Sequence, residues 1–200
     1  MAKVPPFAFV GKFASGKGIY ADSLMQLLES GFSIKVYKVP SFSAKIKEIA
    51  ADLFDEETAN DRTVWQAIGN MMREIDRKVW ANVLIRKILE NGADSFVVEG
   101  FRDVEELMAF RERFPEMIVI GIDASFERRI DAYRKKYGKE PTKEQLEHNT
   151  EKAIEMMPVD MVLVNDYTTG TMKAQLESIV SALKAGTMHE FLQSNKRSLR

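Results

Sequence analysis

Gly11, Gly16, Lys17 and Gly18 lie in the stretch GKFASGKG and fit the spacing G-x-x-x-x-G-K. A backbone wraps a phosphate by turning its N–H groups inward, and glycine permits this by accepting positive φ. The helix expected next adds unpaired N–H groups and the positive end of its dipole. Lys17 brings a point charge to the outer phosphates. The residues expected to hold the phosphates of ATP are therefore Gly11, Ala14, Ser15, Gly16, Lys17, Gly18 and Ile19. Gly18 stands where such loops usually carry a Ser or Thr whose hydroxyl binds Mg²⁺. Magnesium would then rest on the nucleotide's phosphates, on waters and on a carboxylate from elsewhere. That suits an ion that usually keeps several waters.

Glu99 ends the apolar run FVVE and is followed by Gly100 and Arg102. In a doubly wound sheet, ligands collect at the carboxyl ends of strands. Glu99 could hold a magnesium-bound water there, or act as base toward an acceptor oxygen. Arg102 could clamp a phosphate through two N–H groups. The plainer alternative is a strand-end carboxylate paired with a nearby cation. Further along, Gln66, Gly69, Asn70 and Arg73 share one helix face. An amide, a glycine allowing close approach and a guanidinium can read a base and its phosphate; a solvated polar stripe is the competing reading. A mid-helix glycine costs roughly 1 kcal/mol against alanine, so Gly69 asks for a packing or binding reason. Ile68, Met71, Met72 and Ile75 are then available for the core. Phe42, Phe101, Trp65 and Trp80 could wall a base pocket, with Trp80 better suited to the core. Arg128, Arg129, Arg134, Lys135 and Lys136 crowd one basic helix. Phosphoryl transfer spreads negative charge over equatorial oxygens, which mobile cations stabilise. Arg129 and Arg134 are the catalytic candidates there, beside Lys17 and Arg102.

These residues need elements to position them. Residues 7–10 read as a buried strand, 19–29 as a helix, 33–39 as an alternating strand and 43–54 as a helix. Residues 55–60 read as an acidic loop. Residues 62–90 make one long helix or two, broken near Asp76. Strands follow at 95–98, 117–122 and 161–164, with helices at 104–114, 126–137, within 139–157 and at 172–185. The last residues, LQSNKRSLR, read as a frayed polar tail. Strands alternating with helices predict an α/β fold, a mostly parallel central sheet covered on both faces. With the glycine loop, this is a P-loop NTPase-like three-layer fold with a helical lid. One domain spans residues 1–200, with about 41–90 as acceptor-binding helical region and 126–157 as lid.

Composition narrows the chemistry. A net charge of −1 gives no overall field for nucleic acid or an acidic membrane. The chain has no cysteine, which excludes thiolate nucleophiles and thiolate metal sites. Two histidines, His148 and His189, argue against a histidine-rich metal centre. The apolar start is too short for a membrane span and lacks a signal peptide's cleavage pattern. The expectation is a cytoplasmic protein with no membrane or nucleic-acid partner.

The ordered set GKFASGKG, FSAKIKEIAADLF, WQAIGNMMREIDRKVW and VVEGFRDVEE resembles the bacteriophage deoxynucleoside monophosphate kinases, within the nucleoside monophosphate kinase group. EHNTEKA before DMVLVNDYT is similar to that family's Asp-His-x-Ser-Glu followed by a strand ending in Val-Asn-Asp-Gly. The resemblance covers roughly residues 7–170. It implies ATP·Mg²⁺ in the loop and a small-molecule nucleotide acceptor near Lys45, Gln66 and Arg73. It also implies a lid of arginines around Arg129 and Arg134, with Glu147, His148 and Glu151 near the acceptor or lid, and it hints at a homodimer. Glu147 and Thr150 stand where Asp and Ser are expected. Glu99-Gly-Phe-Arg replaces an aspartate-led strand end and is closer to archaeal adenylate-kinase-related and dephospho-CoA-kinase-like proteins. Three readings stay open: a nucleoside monophosphate kinase, a same-fold kinase for dephospho-CoA or phosphomevalonate, and an ATPase or switch module without acceptor.

Overall fold

The computed structural model describes residues 3–142 and 153–199. Five strands form one sheet in the order β2-β3-β1-β4-β5, and every pairing is parallel. They are β1 (Phe7–Gly11), β2 (Val36–Lys38), β3 (Ser95–Glu99), β4 (Ile118–Asp123) and β5 (Met161–Val164). The helices in chain order are α1 (Lys17–Phe32), α2 (Ser43–Leu53), α3 (Glu56–Ala59), α4 (Arg62–Ile75), α5 (Val79–Asn91), α6 (Val104–Arg113), α7 (Phe126–Tyr137), α8 (Thr169–Ala185) and α9 (Met188–Ser194).

Strand periodicity divides the core into two layers. Phe7 and Phe9 of β1, with Ile118, Ile120 and Ile122 of β4, face a layer closed by Tyr20, Leu24 and Leu28 of α1 and Leu176, Ile179 and Leu183 of α8. Ala8, Val10, Phe96, Val98 and Val119 face the other layer, filled by Phe42, Phe101, Phe110, Phe114, Trp80 and Leu84. Both faces of the sheet are thus buried, which is why its strands read as continuous apolar runs. β1 lies at the centre, so the loop that follows it emerges between β3 and β4.

Four details differ from the sequence-based expectation. Residues 55–60 are not a plain loop: Asp55 accepts from the Thr58 backbone N–H at 2.9 Å and starts the short helix α3. The second strand keeps only Val36–Lys38, because Ser33 takes the left-handed conformation that ends α1. Met71 and Ile75 are 61 % and 78 % exposed, outside the core; α4 buries Trp65, Ile68 and Met72 instead. The C-terminal stretch forms the last turn of α9 and then returns Leu199 to the core, 8 % exposed. Leu199 fits because Gly121 of β4 has no side chain: a Cβ there would lie 2.8 Å from Leu199 Cδ2. The expected break near Asp76 is present, as α4 ends and α5 begins around it.

Leu199→Ala is expected to cost about 2–3 kcal/mol, the lower part of the range for emptying a buried leucine site. Urea unfolding checks this; a change within about 0.5 kcal/mol would mark the tail as a surface segment.

Candidate active site

The loop between β1 and α1 has the shape its glycines permit. Ala14 and Gly16 adopt positive φ, 57° and 88°, and Gly16 is the N-cap of α1. Lys17 and Gly18 therefore open the helix, where N–H groups without intrahelical partners and the dipole favour an anion. Gly11 is required by space: a Cβ would lie 2.5 Å from Ser15 Oγ and 2.7 Å from the Ile122 carbonyl oxygen. Ser15 is fully buried beneath the loop, and Ile19 points outward, 62 % exposed.

Gly18 has a steric explanation of its own. β3 lies beside β1, with Glu99 in register with Phe9, and this brings the Glu99 carboxylate against the loop. A Cβ at Gly18 would lie 2.9 Å from Glu99 Oε1. The carboxylate thus takes up room that the side chain of a serine or threonine would use. Hydroxyl-bearing side chain and glutamate compete for the same place, and this chain has the glutamate.

The acceptor-side residues are distributed less simply. Gly69 is buried against Ile46 of α2, whose Cδ1 would lie 3.2 Å from a Cβ there, and its carbonyl accepts from Trp80 Nε1 at 3.1 Å. Helix packing accounts for this glycine. Gln66 is half-buried and Asn70 exposed. Lys45 pairs with Glu48 one turn along α2, 2.9 Å apart. Arg73 is half-buried, and its Nε donates to Glu106 at 2.9 Å. Glu106 is a fully buried carboxylate that also accepts from the Arg102 backbone N–H at 2.8 Å. It ties α4 to the turn that follows β3, and the sequence reading passed over it. Burial pushes its carboxyl above the usual range, opposed by the Arg73 charge and the Arg102 N–H. Phe42 and Phe101 stack on each other and on Phe110 inside the core, and Trp80 is buried beside them. They do not wall an open pocket. Trp65 is partly buried and lies under Lys47, 4.3 Å from ring centroid to Nζ. Arg102 itself is exposed.

Of the basic helix, α7, one arginine reaches the loop. Arg129 is 8 % exposed, and its Nη1 donates to the Phe13 carbonyl at 3.2 Å. Tyr133 packs on Phe13 with ring centroids 4.9 Å apart. Arg128 donates to the Asp166 carbonyl, and Arg134 pairs with Asp131 and Glu140 on the outer face. Glu147, His148, Thr150 and Glu151 lie outside the described residues. Among the described residues, no group of three or more His, Cys, Asp or Glu could hold a metal, and no helix is long and apolar enough to cross a membrane.

No family model matches the chain. A UPF0200 protein of Methanoculleus marisnigri is 34 % identical over 58 residues, 29 % of this chain and 32 % of that protein. The match thus spans about a third of that relative's length. A sugar kinase of a Janibacter species superposes with a TM-score of 0.54 at 14 % identity, covering 92 % of this chain and 96 % of that one. A gluconokinase of Sinorhizobium meliloti gives 0.52 at 11 % identity, covering 98 % and 100 %. The chain has the α/β fold of these kinases.

Arg73→Met tests the buried pair. A carboxyl whose folded pKa exceeds its unfolded value binds more protons folded than unfolded between the two, so stability falls as pH rises through that window. Without Arg73, Glu106 should move further up and the fall should extend to higher pH. The loss at neutral pH should be about 3–5 kcal/mol, as when one partner of a buried pair is removed. Urea unfolding from about pH 4 to about pH 8 spans the window; a pH-independent loss would show that Glu106 does not depend on Arg73.

Proposed function

We propose that the protein is an ATP-dependent phosphotransferase that moves the γ-phosphoryl group to a nucleoside or deoxynucleoside monophosphate. The observation that carries this reading is the loop itself. GKFASGKG joins the central strand to a helix whose N-cap is a left-handed glycine, with Lys17 at the helix start and Glu99 and Arg129 on either side. The likeness of the fold to proteins named as a sugar kinase and a gluconokinase supports phosphoryl transfer in general.

In the reaction, an oxygen of the acceptor's phosphate attacks the γ-phosphorus while the bond to the β–γ bridging oxygen breaks and ADP leaves. Little covalent work falls to the protein; positioning and charge stabilisation supply the rate. Lys17 and the loop N–H groups would hold the β- and γ-phosphates. Arg129, with Arg102 and Arg134 as further cations, would meet charge that develops on the transferred group. Magnesium, when bound, neutralises phosphate charge, and Glu99 is the carboxylate that would hold it through water. The residues present fit such an ion: one carboxylate stands directly against the loop at the hydroxyl-less Gly18. Arg73, held through Nε by Glu106, has its terminal nitrogens as candidates for the acceptor's phosphate, beside Gln66, Asn70 and Lys45.

A second reading follows from the burial of Phe42 and Phe101. Their rings cannot stack on a base without opening the core, which favours an acceptor recognised mainly by cations, such as phosphomevalonate. Dephospho-CoA, with a hydroxyl acceptor, belongs to the same alternative. ADP release measured with each nucleoside and deoxynucleoside monophosphate, dephospho-CoA, phosphomevalonate and no acceptor separates the readings. Stimulation by monophosphates supports the first. Stimulation by another acceptor alone supports the second, and acceptor-independent hydrolysis points to an ATPase or switch module. Lys17→Ala should lower kcat/KM by about 10²–10³, the scale of losing one preorganised charge-stabilising group, while the circular dichroism spectrum stays unchanged. Retained activity would remove the loop from the mechanism.

A further inference from the structure

A loop that turns its N–H groups toward a phosphate must turn its carbonyls the other way, and those carbonyls need donors. In this chain, every carbonyl from residue 12 to residue 16 has one. Lys12 O accepts from Ser15 N, and Gly16 O accepts from Ile19 N and Tyr20 N, all within the loop and α1. The three between them are bound by side chains from distant parts of the sequence. Phe13 O takes Arg129 Nη1 at 3.2 Å, Ala14 O takes the Tyr167 hydroxyl at 2.5 Å, and Ser15 O takes Asn165 Nδ2 at 2.9 Å.

Asn165 and Tyr167 come from the turn after β5, and each is held in place. Asn165 is 6 % exposed; its backbone N–H donates to the Asp123 carbonyl of β4 at 2.7 Å, and its Oδ1 accepts from Tyr167 N at 2.8 Å. Tyr167 takes a positive φ of 62°, uncommon for an aromatic residue, and this turns its hydroxyl to the loop. Gly16 completes the fit. A Cβ there would lie 2.4 Å from Asn165 Nδ2, so the glycine serves both its own left-handed backbone and the asparagine's amide.

We propose that Asn165 and Tyr167 are positioning residues of the nucleotide site: they hold the carbonyls of Ala14 and Ser15 outward, and so keep the loop in its phosphate-binding shape before nucleotide arrives. The inference rests on reading GKFASGKG as a phosphate loop. It assigns Asn165 an amide donor role that an isosteric carboxylate cannot fill. Asn165→Asp keeps the acceptor for Tyr167 N but loses the donor and sets a negative oxygen against the Ser15 carbonyl. Tyr167→Phe removes only one O–H.

The test is calorimetric titration of the wild-type protein, Asn165→Asp and Tyr167→Phe with MgADP, alongside steady-state kinetics with the best acceptor from the panel above. Asn165→Asp is expected to bind MgADP at least about tenfold more weakly and Tyr167→Phe about threefold to tenfold, on the scale of one lost hydrogen bond. The KM for ATP should rise by similar factors while the acceptor's KM stays within about twofold, a split that general loosening of the fold would not produce. Folded variants that bind MgADP as the wild type does, or that lose ATP and acceptor affinity equally, would overturn the inference and leave the loop reading standing. Wild-type protein that fails to bind MgADP would overturn the loop reading, and this inference with it. If Asn165→Asp does not fold, Tyr167→Phe decides alone, because its exposed hydroxyl can be removed without disturbing the core.

Discussion

Peptide groups cannot be turned one-sidedly: each N–H aimed at a ligand leaves carbonyls facing the protein, and buried carbonyls left alone are costly. The arrangement around residues 11–18 follows from that constraint. β1 occupies the middle of the sheet, so the loop at its end has neighbours on both sides. From one side β3 delivers Glu99 to the mouth of the loop. On the other, the ends of β4 and β5 lead to α7 and to the 165–167 turn, which supply donors to the loop's outer edge. Parallel pairing brings the carboxylate on one side and the donors on the other to the same end of the sheet.

Steric exclusion does as much here as attraction. Gly11, Gly16 and Gly18 each lack a Cβ that would collide with a particular atom: the Ile122 carbonyl, the Asn165 amide and the Glu99 carboxylate. Three glycines in one short loop therefore answer to three neighbours and not to one general need for flexibility. Glu106 acts comparably at α4. A carboxylate with no exposure at the start of α6 fixes Arg73 of α4 and the Arg102 N–H, so the turn after β3 and α4 share a single anchor. Charge burial at that point is costly unless both donors remain.

Much of the fold was legible because both faces of the sheet are buried, which makes its strands short apolar runs. The loop was legible from spacing alone. Other features were not, for physical reasons. Asn165 and Tyr167 sit in VNDY, a polar turn with no periodic pattern, and their role depends on carbonyls 150 and 153 residues away. Their local trace was the likeness of DMVLVNDYT to a strand ending in Val-Asn-Asp-Gly, which assigns neither residue a role. Glu106 follows another glutamate in VEELMAF, and nothing in that run says which of the two turns inward. Met71 and Ile75 have helical spacing suited to burial, yet α4 presents a different face to α2 and α5. Leu199 was hidden in a stretch of polar residues, where one leucine carries no period. Phe42 and Phe101 looked equally fit for a pocket or a core, and only their mutual stacking on Phe110 decides between them.

The sequence separation of the loop's supports has a consequence for how the molecule comes into being. Residues 12–18 precede Arg129, Asn165 and Tyr167 by more than a hundred positions. Bringing such partners together requires closing long stretches of chain, which carries an entropic cost and slows folding. A chain whose β5 has not yet joined the sheet edge contains the whole glycine loop without the donors that shape its back. On the proposed reading of the loop as a nucleotide site, its carbonyls have their full set of donors only once β5 and the turn after it are in place.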